Sequence, residues 1–274
     1  MRRLLILLSA IFLYASSVRA AYSPSTTNGW LVTAGRVAGA GGALFRTDVW
    51  LFNPDEAASA TATLVLHPSV SSGQSALPDV TSDPITLAPR ETRFFADVTL
   101  DTVPAGDGVV GALEWRSDRP LMASARIYTF KPTGTYGFFL PAIPAAESMT
   151  PRLADDDLVH VLQIYGTNSG DTNFRTNLDV ANTSTVTVPI EVRVIDVASQ
   201  ILGGTRTYTV APGGLLRLGQ ILETVGAPLE DGLRITVAIA PGTAVPSGGI
   251  LAAAYTLDNR TQDAFAFVGQ RSGP

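Results

Sequence analysis

Cysteine is absent from the 274 residues of this chain. Without thiols the chain can form neither disulfide bonds nor a cysteine-ligated zinc site, and it offers no cysteine for a lipid anchor. We therefore expect its stability to come from packing.

Histidine is nearly as scarce, since the chain contains only His67 and His160. Neither residue stands in a pattern typical of catalysis, because the nucleophile motif G-x-S-x-G and the metal motif H-E-x-x-H are both missing. We therefore predict that the protein is not an enzyme and that it has no catalytic residues, no metal site and no cofactor.

Charged residues make up 16% of the chain, and Lys131 is its single lysine. The formal net charge is −5. A mildly acidic surface of low charge density has no electrostatic attraction to nucleic acid or to anionic lipid. We expect no nucleic-acid partner.

The N-terminal segment shows the three parts of a secretory signal. Arg2 and Arg3 precede an apolar run at residues 4–13, and small residues lead to Ala20. We predict a signal peptide at residues 1–20, cleaved after Ala20, with an uncleaved membrane anchor as the alternative. The apolar run has about ten residues, whereas a helix across a bilayer needs about 20. The expectation is an exported protein, periplasmic or extracellular at the cell surface, with no membrane span after cleavage.

The remaining chain alternates short apolar and β-branched runs with Gly, Pro, Asp and Asn, and no stretch keeps a helical period. About seven or eight strands in roughly 110 residues are typical of an antiparallel β-sandwich. The pattern occurs twice, which predicts an all-β chain of two tandem domains. The predicted segments are a flexible lead-in at 21–29, domain 1 at 30–143, a linker at 144–157 and domain 2 at 158–270.

Residues 44–53 return as a related copy at residues 173–182, with Phe, Arg, Thr and a closing Asn in both. Side chains alternate along a strand. One face of the first copy therefore carries Phe45, Thr47, Val49 and Leu51, and the other carries Arg46, Asp48, Trp50 and Phe52. The second copy keeps an apolar set that begins at Phe174. We predict that the face containing the phenylalanine is buried in each copy.

A second shared element is the turn Leu-Ala-Pro-Arg-Glu-Thr at residues 87–92, which returns as Val-Ala-Pro-Gly-Gly-Leu at residues 210–215. Together with the Phe-Arg-Thr pattern and its closing Asn, this turn resembles the immunoglobulin-like β-sandwich repeats found in tandem in secreted bacterial proteins, including the adhesion-type repeats of extracellular enzymes. The resemblance covers essentially the whole mature chain and implies a binding, spacing or surface-structural role. Gly213-Gly214 replaces Arg90-Glu91, so a role for that charged pair is not shared.

Trp50 and Phe52 are the candidate binding residues, because large aromatic side chains on an outward strand face expose apolar area. The second copy carries Asp179 and Ala181 at these positions. One interpretation is that the other domain, the lead-in or a loop covers the aromatic pair. The other is a platform for a partner protein or for a carbohydrate, since flat rings stack on sugars.

Two further groups of residues are candidates for binding a ligand. Arg46 with Asp48, echoed by Arg175 with Asn177, predicts a cation and a polar acceptor paired on one face, with a polar ligand as the alternative. Three consecutive aspartates at residues 155–157 have the oxygen ligands that calcium prefers but lack the spacing of a calcium loop, which favours a solvated linker.

These observations predict an exported, non-enzymatic structural or interaction protein that acts at the surface, in adhesion or as an accessory subunit, and that binds through strand edges and loops. One alternative is a carbohydrate-binding module, for which an exposed row of aromatic residues would be diagnostic. Another is a periplasmic chaperone that adds a strand to its partner's sheet. The identity of the protein or glycan partner and the oligomeric state stay open at this point.

Overall fold

The structure, a computed structural model, describes residues 24–39, 42–69, 78–132, 134–150, 159–165 and 174–271, with the backbone alone described at 159–165 and 271. The predicted signal peptide at residues 1–20 therefore lies outside the described residues, as do the three aspartates at 155–157.

The first half of the chain forms nine strands and one short helix within the described ranges. They are β1 (Thr26–Ala38), β2 (Leu44–Phe52), β3 (Ala60–Pro68), β4 (Val80–Thr81), β5 (Ile85–Leu87), β6 (Thr92–Phe95), α1 (Val98–Asp101), β7 (Val109–Lys131), β8 (Gly134–Pro141) and β9 (Ile143–Pro144). We call this unit module 1.

The second half contributes nine more strands and one helix to the described structure, after a 3-10 helix at Ala145–Glu147. They are β10 (Val159–Tyr165), β11 (Phe174–Asn182), β12 (Val188–Ile195), β13 (Ile201–Val210), β14 (Leu215–Leu218), α2 (Ile221–Val225), β15 (Asp231–Ile239), β16 (Ile250–Asp258), β17 (Ala264–Val268) and β18 (Gln270–Arg271). We call this unit module 2.

The described elements are strands apart from three short helices, and the strands pair antiparallel, which confirms the all-β prediction. In module 1 the strands follow the order β4-β3-β7-β1-β2-β6, with β5 on β3, β8 on β7 and β9 on β1. Module 2 has one sheet in the order β13-β12-β15-β10-β18 and a second in the order β14-β11-β16-β17.

Strand β7 pairs with both β3 and β2. It is one strand of 23 residues that changes partners along its length. Up to Ser117 it pairs with β3, and from Met122 it pairs with β2. The change falls in an exposed or half-buried stretch around Pro120, which has no N–H to donate to a sheet. A single strand thereby connects both sets of strands in module 1.

The two copies of the repeat share a buried asparagine at the end of β2 and of β11. Asn53 and Asn182 are both fully buried. Asn53 Nδ2 donates to the carbonyls of Ala58 (2.9 Å) and Ala88 (3.1 Å), while Asn182 Nδ2 donates to those of Val186 (2.7 Å) and Val210 (2.8 Å). Each amide therefore joins the turn after its strand to a later strand end, as buried polar groups require.

A second pair of equivalent side chains fixes the two short helices. Asp48 Oδ1 accepts the N–H of Asp97 at 2.9 Å, and Asn177 Oδ1 accepts that of Gln220 at 3.0 Å. Asp97 and Gln220 both have left-handed backbones, with φ of 44° and 47°, and each precedes a helix. The repeated sequence thus corresponds to repeated hydrogen bonding.

The inner face of β2 is buried as predicted, from Phe45 to Leu51. The prediction for Phe174 is wrong, because its side chain is 42% exposed at the start of β11. Strand β1 begins at Thr26, so the last four residues of the predicted lead-in form part of a sheet. The first part of the predicted linker is also structured, since Met149 pairs with Ile250 and is buried in the core of module 2.

Module 2 packs the outer face of its sheet β14-β11-β16-β17 against module 1. The apolar side chains of this face join the core of module 1: Ala181, Leu215, Leu251, Ala253, Tyr255, Leu257 and Ala264. The Leu215 N–H donates to Ser69 Oγ at 2.7 Å, and the ring of Phe138 lies 4.8 Å from that of Tyr255. The two modules therefore share one apolar cluster.

This contact explains why the second turn departs from the first. Gly213 has a positive φ of 66°, and a Cβ at this position would lie 2.8 Å from His67 Nδ1. Arg90, at the corresponding place in module 1, has a similar φ of 59° but an exposed side chain. Glycine is therefore required in module 2 by the close approach to the histidine ring, besides suiting the backbone.

A buried carboxylate connects strands β1, β3 and β7 of module 1. Glu114 is 5% exposed; it accepts hydrogen bonds from Asn28 and, at 2.7 Å, from Arg116, and lies 3.3 Å from Nε2 of His67. The His67 ring stacks on Trp30 with centroids 4.9 Å apart. Burial opposes ionisation of Glu114, but hydrogen bonds with His67, Arg116 and Asn28 outweigh it and lower its pKa to about 2.

We expect Asn53→Ala and Asn182→Ala each to lower the free energy of unfolding by about 1–3 kcal/mol, because each removes the donor from carbonyl groups that are partly or fully buried. Chemical denaturation of the purified chain measures this. Thr187→Ala changes an exposed side chain and should cost less than about 0.5 kcal/mol. Equal stability of the asparagine variants and the Thr187 variant would contradict the shared role.

The folded-state pKa of Glu114 lies below its ordinary value of 4.5, so ionised Glu114 stabilises the fold above that pH, and the stabilisation is lost as the pH falls towards 2. We expect the free energy of unfolding of the wild type to fall across this window by about 1–3 kcal/mol more than that of Glu114→Gln. Denaturation curves at several pH values measure the two slopes. Parallel slopes would show that Glu114 has an ordinary pKa in the folded chain.

Candidate functional site: the aromatic face of module 1

The candidate site lies on the outer face of four strands of module 1, β6, β2, β7 and β8. Trp50 is directly opposite Phe94 on β6 and Ser124 on β7, and Ser124 is opposite Pro141 on β8. Directly opposed residues in antiparallel strands have side chains on the same side of the sheet. The register therefore brings side chains distant in sequence onto one surface.

Large apolar side chains occupy much of this surface. Phe94 is 50% exposed, Phe130 56% and Phe139 63%, while Trp50, Phe52 and Met122 are half-buried. We call these six residues, together with Arg46 and Arg126, the aromatic face. Monomeric proteins rarely expose a large contiguous apolar patch without a binding role.

Ring contacts hold several of these side chains in place. The ring centroids of Trp50 and Phe94 are 4.9 Å apart, and Tyr128 contacts Phe130 edge to face at 5.2 Å. The guanidinium groups of Arg46 and Arg126 lie 5.4 Å and 4.9 Å from the rings of Phe130 and Tyr128. These contacts limit the rotamers of the exposed rings before any partner binds.

The electrostatics of the face differ from the sequence prediction of an Arg46–Asp48 pair. Arg46 Nε lies 3.8 Å from Asp97, whereas buried Asp48 accepts hydrogen bonds from the Asp97 N–H and, at 3.2 Å, from the Tyr128 hydroxyl. Burial and the charge of Asp48 raise the pKa of Tyr128. Arg126 is exposed and makes no ion pair within 4 Å with the described residues, and its directly opposed cross-strand neighbour is the buried Asp48. The face therefore presents an exposed guanidinium group to solvent.

The echo of that pair in module 2 is also wrong as predicted. Arg175 donates to the side-chain oxygens of Asn259 and Gln262, and Asn177 accepts from the Gln220 N–H. These amide oxygens are neutral, so the guanidinium of Arg175 is not paired with a carboxylate of the described residues.

The corresponding face of module 2 is the one that packs against module 1. Asp179 and Ala181 stand at the positions of Trp50 and Phe52, and both are fully buried. Asp179 is opposite Arg217, which donates to both of its carboxylate oxygens at 2.9 and 2.7 Å. The exposed face thus carries an aromatic cross-strand pair where the buried face carries an ion pair.

Trp50 and Phe52 lie on the outer face, as the alternation predicted, and module 2 packs on another side of module 1. Sequence reasoning missed Phe94, Phe130 and Phe139, which come from three other strands. Alternation was a usable signal for Phe139, which stands between the buried Phe138 and Leu140, but strand register was needed to place these residues on the face of Trp50.

The structure describes the side chain of one histidine, His67. His67 belongs to the buried Glu114 cluster, with Nδ1 2.9 Å from Asp79. His160 lies in β10, where only the backbone is described. Within the described ranges, no group of three or more His, Cys, Asp or Glu side chains is placed to hold a metal ion. No helix in those ranges has the length and apolar character needed to cross a membrane.

Sequence comparison finds neither a matching family nor a matching characterised protein. Among solved structures, a Thermotoga maritima protein is 15% identical and covers 43% of this chain and 97% of its own, with a TM-score of 0.33. The PBSX exported protein XepA is 9% identical, covers 92% and 84%, and has a TM-score of 0.23. A Parabacteroides distasonis protein, predicted to be secreted, is 10% identical, covers 93% and 85%, and has a TM-score of 0.20. Likenesses this distant carry no argument about this chain.

Proposed function

We propose that this chain is an exported, non-enzymatic interaction protein of two immunoglobulin-like β-sandwich modules, and that the aromatic face of module 1 binds a partner protein. The signal-like segment at residues 1–20 supports export. The hydrogen bonds shared by Asn53 and Asn182 support two copies of one module.

The observation that carries the proposal is the unequal use of equivalent faces. In module 2 this face contacts a protein surface, namely module 1, and Asp179 and Ala181 are fully buried there. In module 1 the same strands present Phe94 and Phe139, which are 50% and 63% exposed. The geometry of this sheet is therefore already used for protein contact within the chain, which favours a protein as the partner of the exposed copy.

The composition of the face agrees with a protein interface. Aromatic residues and arginine are enriched at the centres of such interfaces, whereas lysine and acidic residues are depleted. Trp50, Phe94 and Phe139 supply the apolar area, and Arg126 supplies an exposed guanidinium group. We expect the partner to present an apolar patch with a carboxylate opposite Arg126.

A carbohydrate is the second candidate, because Trp50, Phe94 and Phe139 lie on the same face of the strands β6, β2, β7 and β8. Exposed rings of this kind stack on the apolar faces of sugars. Binding through strand edges and loops stays a further prediction, for which Val197 in a loop and Ile201 on the edge strand β13 offer exposed apolar side chains.

The test is capture of partners from the native envelope fraction by the full exported chain and by two surface variants, Phe139→Ala and Arg126→Ala. We expect the captured protein to bind each variant at least about tenfold more weakly, because both residues lie on the proposed contact surface. Phe174→Ala is the matched control, since it removes an exposed phenylalanine from module 2 and should leave capture unchanged.

Retention of the same captured protein by both face variants would contradict the proposal. Binding to purified polysaccharides that is lost in Phe139→Ala, with no captured protein, would instead favour the carbohydrate candidate. Melting temperatures of all three variants show whether a loss of binding reflects unfolding.

A further inference from the structure

A cavity of about 510 Å³ lies where the two modules meet. Module 1 lines it with β1 and with parts of β2, β7 and β8, and module 2 lines it with β11, β14 and β16. Its volume falls within the range of about 300–1,000 Å³ typical of small-molecule sites, which often occur between domains.

The apolar part of the wall comes from both modules. Phe45 and Phe138 line it from module 1, and Leu257 lines it from module 2. These side chains are buried in the shared cluster, so their positions are fixed by packing. Such a wall suits the hydrocarbon or aromatic body of a ligand.

Two guanidinium groups line the same cavity, and among the described residues only Arg217 has an acidic partner. Arg217 is paired with Asp179 and also donates to Thr33 Oγ1 at 2.8 Å. Arg175 is half-buried and donates to neutral oxygens of Asn259 and Gln262. Burial lowers the pKa of Arg175, which means that its charge is incompletely solvated. A guanidinium that is partly removed from water is stabilised by an opposite charge nearby.

The Tyr255 hydroxyl belongs with the Asp179–Arg217 pair and not with the ligand site. Tyr255 is 5% exposed, and burial together with the charge of Asp179 raises the pKa of its hydroxyl well above the ordinary value. The hydroxyl therefore keeps its proton beside the Asp179 carboxylate. Arg175 is the group of the wall that is left for an acidic ligand.

From these observations we infer that the intermodular cavity binds a small organic carboxylate, whose carboxylate pairs with Arg175 and whose apolar body contacts Phe45, Phe138 and Leu257. A carboxylate matches a guanidinium through two parallel N–H···O bonds, so it can neutralise Arg175 without displacing the Asp179–Arg217 pair. This site is separate from the aromatic face and does not depend on the function proposed for it.

Isothermal titration of the full exported chain with decanoate, phenylbutyrate and naphthoate tests the inference, with decanol as the neutral match for decanoate. We expect at least one carboxylate to bind with a Kd below about 1 mM, and decanoate to bind at least about tenfold more tightly than decanol. Arg175→Gln should weaken the binding of the best carboxylate at least about tenfold.

Arg90→Gln is the control, because it removes an exposed guanidinium that lines neither the cavity nor the aromatic face, and it should leave carboxylate affinity unchanged. Binding of none of the three carboxylates, equal binding of decanoate and decanol, or equal affinity in wild type and Arg175→Gln would each overturn the inference. The comparison of decanoate with decanol uses the wild type alone, so it decides the question even if a cavity variant fails to fold.

Discussion

The contact between the outer sheet face of module 2 and module 1 is the interaction on which the rest of the arrangement depends. It joins Leu251 and Tyr255 to the core of module 1 and encloses the cavity lined by Arg175. It also leaves the equivalent face of module 1 without a partner within the described chain. The driving force is the removal of apolar surface from water, which is roughly proportional to the area buried.

Polar groups inside this contact explain why it has a defined geometry. Asp179 is fully buried and would be costly there without Arg217 opposite it on β14. Arg217 in turn donates to Thr33 of module 1, and Gly213 allows its turn to approach His67. An apolar contact alone tolerates sliding, whereas these directional contacts are satisfied in one relative position of the two surfaces.

Several features could be predicted from the sequence because they depend on local pattern. Alternation along β2 predicted the burial of Val49 and Leu51, and the repeated asparagines at 53 and 182 indicated a shared framework. The prediction that Arg46 pairs with Asp48 was wrong. Arg46 lies near Asp97, which comes from a distant turn, and Asp48 accepts a hydrogen bond from the backbone N–H of Asp97. The prediction that Phe174 is buried was wrong, since this residue at the start of β11 is 42% exposed.

The sequence by itself determined an all-β chain, the two sides of each strand and the repeated framework, because the two-residue period of a strand is visible in local alternation. Only the tertiary structure decided that Asp179 and Ala181 are buried while Trp50, Phe94 and Phe139 meet solvent. The physical reason is that alternation shows which side chains share a side of a sheet, whereas strand register and the surface packed across that side are set by contacts between distant segments.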